Sequence, residues 1–301
     1  MASCHVPIKP FTTGINPIDF QIDPQEDFID LNDSYFEVEL QLKLDNSTNM
    51  AVGTRVSIVN NLAHSLFKQI NVRLNGTLIS PQTDTYHHKA FIETVFNNDP
   101  DDGDTILKPE GWFNGLNIRD VDENALTANE LNPDHADFWA LPADEQAWVK
   151  SRTKFLNGNR VVVKFKPYLE VFHLSKLLVP GVQIQIQMYL NSPTMWGMKH
   201  GGDRELRALT AEEISVKLFL NQKKVEPSVY RGLMTQFTGP KKVTYPTVRS
   251  EIRTYNHAND SQIFEAQHIP QSTAKQSSSV FAGSDCFQWF CNQVPLLVQD
   301  I

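Results

Sequence analysis

The sequence predicts an all-β chain: two antiparallel sandwiches in tandem, with long loops and a few short helices. Three observations carry that expectation. Apolar and polar residues alternate strictly in several stretches, as in Phe36, Val38, Leu40, Leu42 and Leu44 against Glu37, Glu39, Gln41 and Lys43. Period-two alternation is the mark of a strand with one buried and one wet face. Helical patterns are few and do not recur between the strands, which argues against a parallel βαβ sheet. Finally, Pro193, Gly197, Gly201 and Gly202 punctuate the chain, and a fresh alternating set (Ile214, Val216, Leu218, Leu220) follows them. That places a boundary near residue 200, with a first sandwich over 18–200 and a second over 201–301.

Residues 1–17 hold Pro7, Pro10 and Pro17 with little periodicity and read as an arm lying over a surface. After the strand ending near Leu44, Asp45 to Asn49 is a turn cluster, and Val52 to Val59 is a weaker strand. The stretch from Asn60 to Phe96 then organises the chain. Ile70, Val72 and Leu74 form a half-buried strand, and Asn75-Gly76 suits a two-residue hairpin turn because both residues reach positive φ cheaply. Leu78-Ile79 starts the return strand, and Pro81 ends it for want of an N–H. Thr83, Asp84 and Thr85 offer N-caps to a short helix from about Tyr86 to Phe96, on which Phe91, Ile92, Val95 and Phe96 make one apolar face.

Residues 97–158 form a long excursion. It opens on the acidic turn segment Asn97 to Asp104, whose spacing does not follow an EF-hand loop. It continues through Trp112, Phe113, Trp139 and Trp148 to a helix expected over Ala143–Lys154, with Asp144 and Glu145 in its first turn and Lys150, Arg152 and Lys154 in its last. Strands resume at Arg160–Lys166. In Val182 to Leu190 every second residue is apolar against Gln183, Gln185, Gln187 and Tyr189. Val248–Thr254, with Arg249, Glu251 and Arg253 on its wet face, and Gln262–Gln267 complete the second set.

Composition narrows the function. The 301 residues are 41% hydrophobic and 21% charged, a folded globular balance. A net charge of −8, and a first segment with one lysine and no arginine, argue against direct wrapping of nucleic acid. Cys4, Cys286 and Cys291 cannot make a disulfide framework, and the close pair lacks two further zinc ligands. No apolar run reaches the ~18 residues of a membrane span, and no signal peptide opens the chain. His87 and His88 are adjacent, so on a helix they diverge by about 100°. His64, His173, His257 and His268 stand apart in sequence, and no G-x-S-x-G, Walker or Rossmann pattern occurs. The expectation is no enzyme, no cofactor, and no catalytic, cofactor-binding or metal residues.

The block NNLAHSLFKQINVRLNGTLISPQTDTYHHKAFIETVFN, residues 60–97, resembles the corresponding block of major capsid proteins from Maverick/Polinton elements and adintoviruses. Asn60, Asn61, His64, Ser65, Leu66, Phe67, Tyr86, Ala90, Glu93 and Thr94 carry the likeness. Looser echoes lie at Phe28–Leu31, Leu177–Val182, Val225–Val229 and Tyr245–Ile252. The resemblance implies a double jelly roll that forms homotrimers of pseudo-hexagonal outline and tiles an icosahedral shell. Its implied partners are further copies of itself and minor or penton capsid proteins, without sequence-specific nucleic-acid binding. The implied place is the virion, with synthesis in the host cytoplasm and assembly there or in the nucleus. About a hundred residues follow the expected boundary, which is short for eight strands, so the second sandwich is expected to be cut short or remodelled after Pro270. Two other readings are a truncated, host-retained relative with a binding role or none, and a jelly-roll carbohydrate-binding protein. The latter needs a sugar-stacking aromatic beside convergent polar groups, and the sequence offers none.

Overall fold

Strand pairing settles what alternation alone leaves open. The structure, a computed structural model, describes residues 2–44, 56–80, 82–112, 130, 135–143, 146, 158–199, 206–237, 243–256, 274–282 and 285–297. In chain order its strands are β1 Ala2–Ile8, β2 Ile18–Ile22, β3 Phe28–Leu40, β4 Val56–Ile58, β5 Phe67–Leu74, β6 Thr77–Leu78 and β7 Val161–Phe165. They continue as β8 Ile184–Leu190, β9 Gly197–Lys199, β10 Ile214–Lys224, β11 Thr244–Asn256, β12 Ala274–Ala282 and β13 Asp285–Leu297. The short helix α1 (Leu62–Ser65) precedes β5, and α2 (Tyr86–Asn97) follows β6. Two more helices span Pro193–Trp196 and Pro227–Phe237. The chain is thus mostly antiparallel β-sheet with a few short helices, as the sequence predicts.

Two four-stranded sheets, in the orders β1-β10-β3-β7 and β2-β8-β5-β6, make the main body. Apart from the small β4-β9 sheet, their eight strands pair outermost with outermost: β1 with β10, β2 with β8, β3 with β7, β5 with β6. An antiparallel ribbon wound in this nested way is a jelly roll. The alternating residues meet between the sheets, Phe36, Val38, Leu40, Val216 and Leu218 from one and Phe20, Val72, Ile184, Ile186 and Met188 from the other, all buried. Each such side chain contributes about 1.5–3 kcal/mol. Aromatic rings lock the centre: Phe20 stands edge-on to Phe36 at 5.5 Å, and Phe36 and Phe67 stack on Phe165 at 5.7 and 5.6 Å.

The pairing corrects two expectations. Ile214 to Leu220 does not begin a second set. It lies in β10, between β3 and β1, in register from Ile214↔Leu40 to Lys223↔Phe28 with a bulge at Leu220. The jelly roll therefore takes in the strand up to Lys224 rather than stopping near residue 200; among the described residues β1 pairs with β10 alone, and β3 in its strand ladders with β10 and β7. At the bulge the buried Asn221 is fully bonded, its N–H donating to Ser34 Oγ at 3.0 Å and its amide nitrogen to Asp33 Oδ2 at 2.5 Å. The first residues, in turn, are not an arm across a surface. They are the edge strand β1, and Pro7 opposite Phe219 is tolerated because an edge strand needs bonds on one side only.

The organising hairpin forms as expected. Asn75 and Gly76 have φ of 47° and 77°, the two positive angles of a type I′ turn, and Arg73 pairs with Leu78. The Asn75 side chain also accepts from Gln183 N at 2.8 Å, tying the turn to the strand beside it. Thr85 is the N-cap of α2, but its hydroxyl turns to Thr83 (3.0 Å) rather than capping the helix. The acidic segment forms a 3₁₀ turn, Pro100–Asp104, capped reciprocally by Asp99 and Asp102.

Beyond the helix Pro227–Phe237, β11, β13 and β12 make a three-stranded antiparallel sheet. The second sandwich is expected to be cut short or remodelled after Pro270. In that region β12 and β13 form a hairpin, with β13 in register along β11 from Thr244↔Leu297 to Asn256↔Asp285. β11 docks on the jelly roll through Tyr245, whose buried hydroxyl accepts from Val179 N (3.0 Å) and donates to Leu177 O (3.2 Å). The expected features at Asp45–Asn49, Val52–Arg55, Pro81, Gln262–Gln267 and most of Ala143–Lys154 lie outside the described residues.

Candidate functional site

α2 lies against the jelly roll with a polar face inward. Tyr86, Lys89, Ala90, Ile92 and Thr94 are buried. Phe91, Val95 and Phe96, expected to face the core, are 46%, 50% and 61% exposed. The rule that apolar residues go inward fails here because the facing wall carries groups that match a polar helix face.

That wall is built locally. Asn61 takes a left-handed backbone (φ 61°) that starts α1, and its N–H donates to Gly111 O at 3.2 Å. Gly111 has φ 81°, and a Cβ there would meet the Leu62 Cβ at 3.0 Å. Only glycine lets the 3₁₀ turn Lys108–Glu110 come this close to α1. The approach brings Glu110 Oε2 to 3.3 Å from His64 Nε2, while His64 Nδ1 lies 2.8 Å from the Tyr86 hydroxyl. Asn61 donates its amide to Thr94 Oγ1 (3.1 Å), which donates to Ala90 O (2.8 Å).

A second group of charges adjoins the first. Lys89, 5% exposed, reaches Glu170 at 3.0 Å and Glu93 at 3.8 Å. Ser250 of β11 donates to Glu93, so this cluster spans three segments far apart in sequence. A cavity of about 700 Å³ opens beside it, bordered by Lys89, Glu93, Glu110, Lys166, Tyr168 and Glu170. Burial holds the Tyr86 and Tyr168 phenols above their usual range and so keeps them neutral. Burial also raises the Glu93 carboxyl, against the opposing pull of Lys89 and the Ser250 hydrogen bond.

A carboxylate–histidine–hydroxyl chain is the grammar of nucleophilic catalysis. Here it ends on Tyr86, fully buried and held as a neutral phenol, so no substrate reaches an activated oxygen. The neighbouring Ser65 hydroxyl is committed to Asn61 O at 3.0 Å. The arrangement braces α1, α2 and the Lys108–Glu110 turn against one another. The His87 and His88 rings lie 4.0 Å apart on α2, tilted 42° to one another, and burial, then His88, lowers His87 to about 4, which leaves it neutral at physiological pH. Among the described residues no three of His, Cys, Asp and Glu are grouped to hold a metal ion, and no helix is long and apolar enough to cross a membrane. His257 and His268 lie outside the described residues.

The block singled out in the sequence thus converges in space. Asn61, His64, Tyr86, Glu93 and Thr94 are all in the network, and Leu66, Phe67 and Ala90 are packed behind it. Sequence reasoning missed Lys89, Glu110, Tyr168, Glu170 and Ser250. The one available signal was Lys89 four residues before Glu93 on a helix, a spacing that pairs charges.

Glu93 gives the network a pH signature. Its folded pKa lies above the unfolded value, so between the two the folded state holds more protons, and stability falls as pH rises through that window. Below the unfolded value the contribution is flat. Glu93→Gln removes the titration, so urea unfolding from pH 4 to 8 should show wild-type stability gaining on the variant as pH falls through the window. Parallel profiles would refute the burial of a titrating Glu93.

No protein-family model matches the sequence, and no curated protein is significantly similar to it. Among solved structures the chain is similar to the PBCV-1 virus capsid protein (TM-score 0.46, 12% identity), over 93% of this chain and 52% of that one. It is also similar to the mavirus major capsid protein (0.42, 14%, 92% and 56%) and the Faustovirus major capsid protein (0.43, 10%, 85% and 59%). The chain spans little more than half the length of these proteins.

Proposed function

We propose that this chain is a structural shell protein, a double jelly-roll major capsid protein that self-associates into trimeric capsomers and belongs with those of Maverick/Polinton elements and adintoviruses. The first jelly roll comprises residues 2–224 and a second begins with β11. The observation that carries the reading is the run of exposed apolar side chains on α2, Phe91, Val95 and Phe96. Adjacent exposed apolar side chains on a well-packed sandwich mark a surface that another polypeptide covers. The resemblance of residues 60–97 supports the family, and the brace of His64, Tyr86 and Lys89 supports a scaffold rather than a reaction. Minor capsid proteins are the further partners, and the virion is the place of action.

The test is direct. Purified protein at tens of micromolar should run as a trimer or larger in size-exclusion chromatography with light scattering, and hexagonal particles should be visible by electron microscopy. Phe91→Asp with Phe96→Asp should give a monomer whose melting temperature stays within a few degrees of the parent's, because both side chains already face solvent. A parent that is monomeric at that concentration would overturn the reading. A lectin would instead bind immobilised glycans while monomeric.

A further inference from the structure

The outer face of the β2-β8-β5 sheet, on the side of the jelly roll away from its core, carries a ligand-ready group. Register places Asp19 beside Gln187 and Asn71 in one row, and Gln21 beside Gln185 and Arg73 in the next. Asp19, Gln21, Arg73, Gln185, Gln187, Phe11 and Thr12 line a pocket of about 360 Å³. One Asp19 carboxylate oxygen is buried without any hydrogen-bond partner, and no cation among the described residues pairs with the carboxylate. An unpartnered buried carboxylate oxygen is costly and rare in a native protein.

The surroundings specify what the partly exposed carboxylate would attract. Gln21 spends its amide nitrogen on Asp23 (3.3 Å), leaving its amide oxygen as an acceptor. Phe11, 76% exposed, is pinned over this corner because its N–H donates to Asp19 O at 2.6 Å and Thr12 Oγ1 accepts from Asp19 N at 3.4 Å. A carboxylate, amide oxygens and an exposed aromatic ring together match a planar cation with several donors. Arg73 does not fill this role, since its guanidinium turns to the hairpin and Gly76 O at 3.4 Å.

We propose that the Asp19 pocket binds a guanidinium group, the side chain of an arginine presented by another polypeptide. The planar fork donates to the Asp19 carboxylate on the side that faces solvent while its face lies on Phe11, a combination that an ammonium cannot reproduce. Arg73 at the rim opposes the incoming charge and sets the affinity low for a single side chain, as suits a contact repeated across an interface.

The experiment is a titration of the full-length protein with Nα-acetyl-arginine amide, read by NMR or calorimetry. Nα-acetyl-citrulline amide serves as the neutral isostere, Nα-acetyl-lysine amide as the other cation, and free arginine as the alternative source. Saturable binding of the capped arginine is expected, with citrulline at least about tenfold weaker and lysine also weaker. Asp19→Asn should lower affinity by about tenfold, Phe11→Ala should lower it less, and Arg73→Gln should raise it. Among the described residues the Asp19 side chain makes no hydrogen bond that Asn would break, so the fold should survive; an unchanged melting temperature checks this. No saturable binding, equal binding of citrulline or lysine, or an unaffected Asp19→Asn variant would overturn the proposal. Free arginine binding more tightly than the capped form would overturn the polypeptide source. The self-association test on Phe91 and Phe96 is independent of all these outcomes.

Discussion

Lys89→Met should destabilise the protein by about 3–5 kcal/mol, the usual result of breaking a buried ion pair from one side. Methionine nearly matches the length of the lysine stem, so little packing is lost and the effect is electrostatic. Glu170 at 3.0 Å and Glu93 at 3.8 Å are left facing each other without their shared cation in a place already short of water. Glu93, raised by burial and held down by Lys89, then keeps its proton more tightly, so the deficit should grow as pH rises and shrink in acid. Lys164→Met is the control. Lys164 pairs with Glu37 at 3.3 Å on the wet face of the sheet, where such a pair is worth at most about 1 kcal/mol. Denaturant unfolding of the two variants at pH 7 compares them directly. Equal losses would mean that Lys89 is not a buried hub.

Val182→Asp should be at least as damaging, while Gln183→Asp should be mild. Val182 is almost fully buried where the chain enters β8, and Gln183 beside it is half-buried and outward. A lone carboxylate in the apolar layer costs several kcal/mol. At Gln183 the hydrogen bonds among the described residues are to its backbone, the N–H donating to the Asn75 side chain and the carbonyl accepting from Asn75 N, and an aspartate preserves both. Similar melting temperatures for the two variants would contradict the register read along β8.

The contrast between neighbours shows how much of the fold a sequence can display. Alternation reports which face of a strand is buried, so the inward residues of β3 and β8 could be named from the sequence. It does not report which strand lies alongside. β10 alternates as cleanly as β3, yet nothing in Ile214–Leu220 says that its partners are Phe36–Leu40 and Val6–Ile8 rather than later strands. The boundary near 200 failed for that reason, although the Pro and Gly cluster read there is real punctuation. For α2 the error was of another kind. Counting apolar residues favoured Phe91 and Val95 for the core, but the deciding factor was the charge waiting on the opposite wall, on Glu110 and Glu170. Those residues approach α2 only through the tertiary fold.

Pairing first strand with last has a consequence for how the chain is made. A ribosome delivers β1 long before its partner β10, which begins only at Ile214. At about 5–20 residues per second, ten seconds or more separate the two. Throughout that interval β3 carries an unmatched edge along most of its length, since its other long neighbour is also β10. Nascent chains on neighbouring ribosomes would expose the same edges at the same stage, a setting in which strands from different copies can pair wrongly. The proline in β1 and the glutamates Glu37 and Glu39 on β3 lie on those waiting strands, where a missing donor and a run of like charge discourage a mismatched neighbour until the correct one arrives.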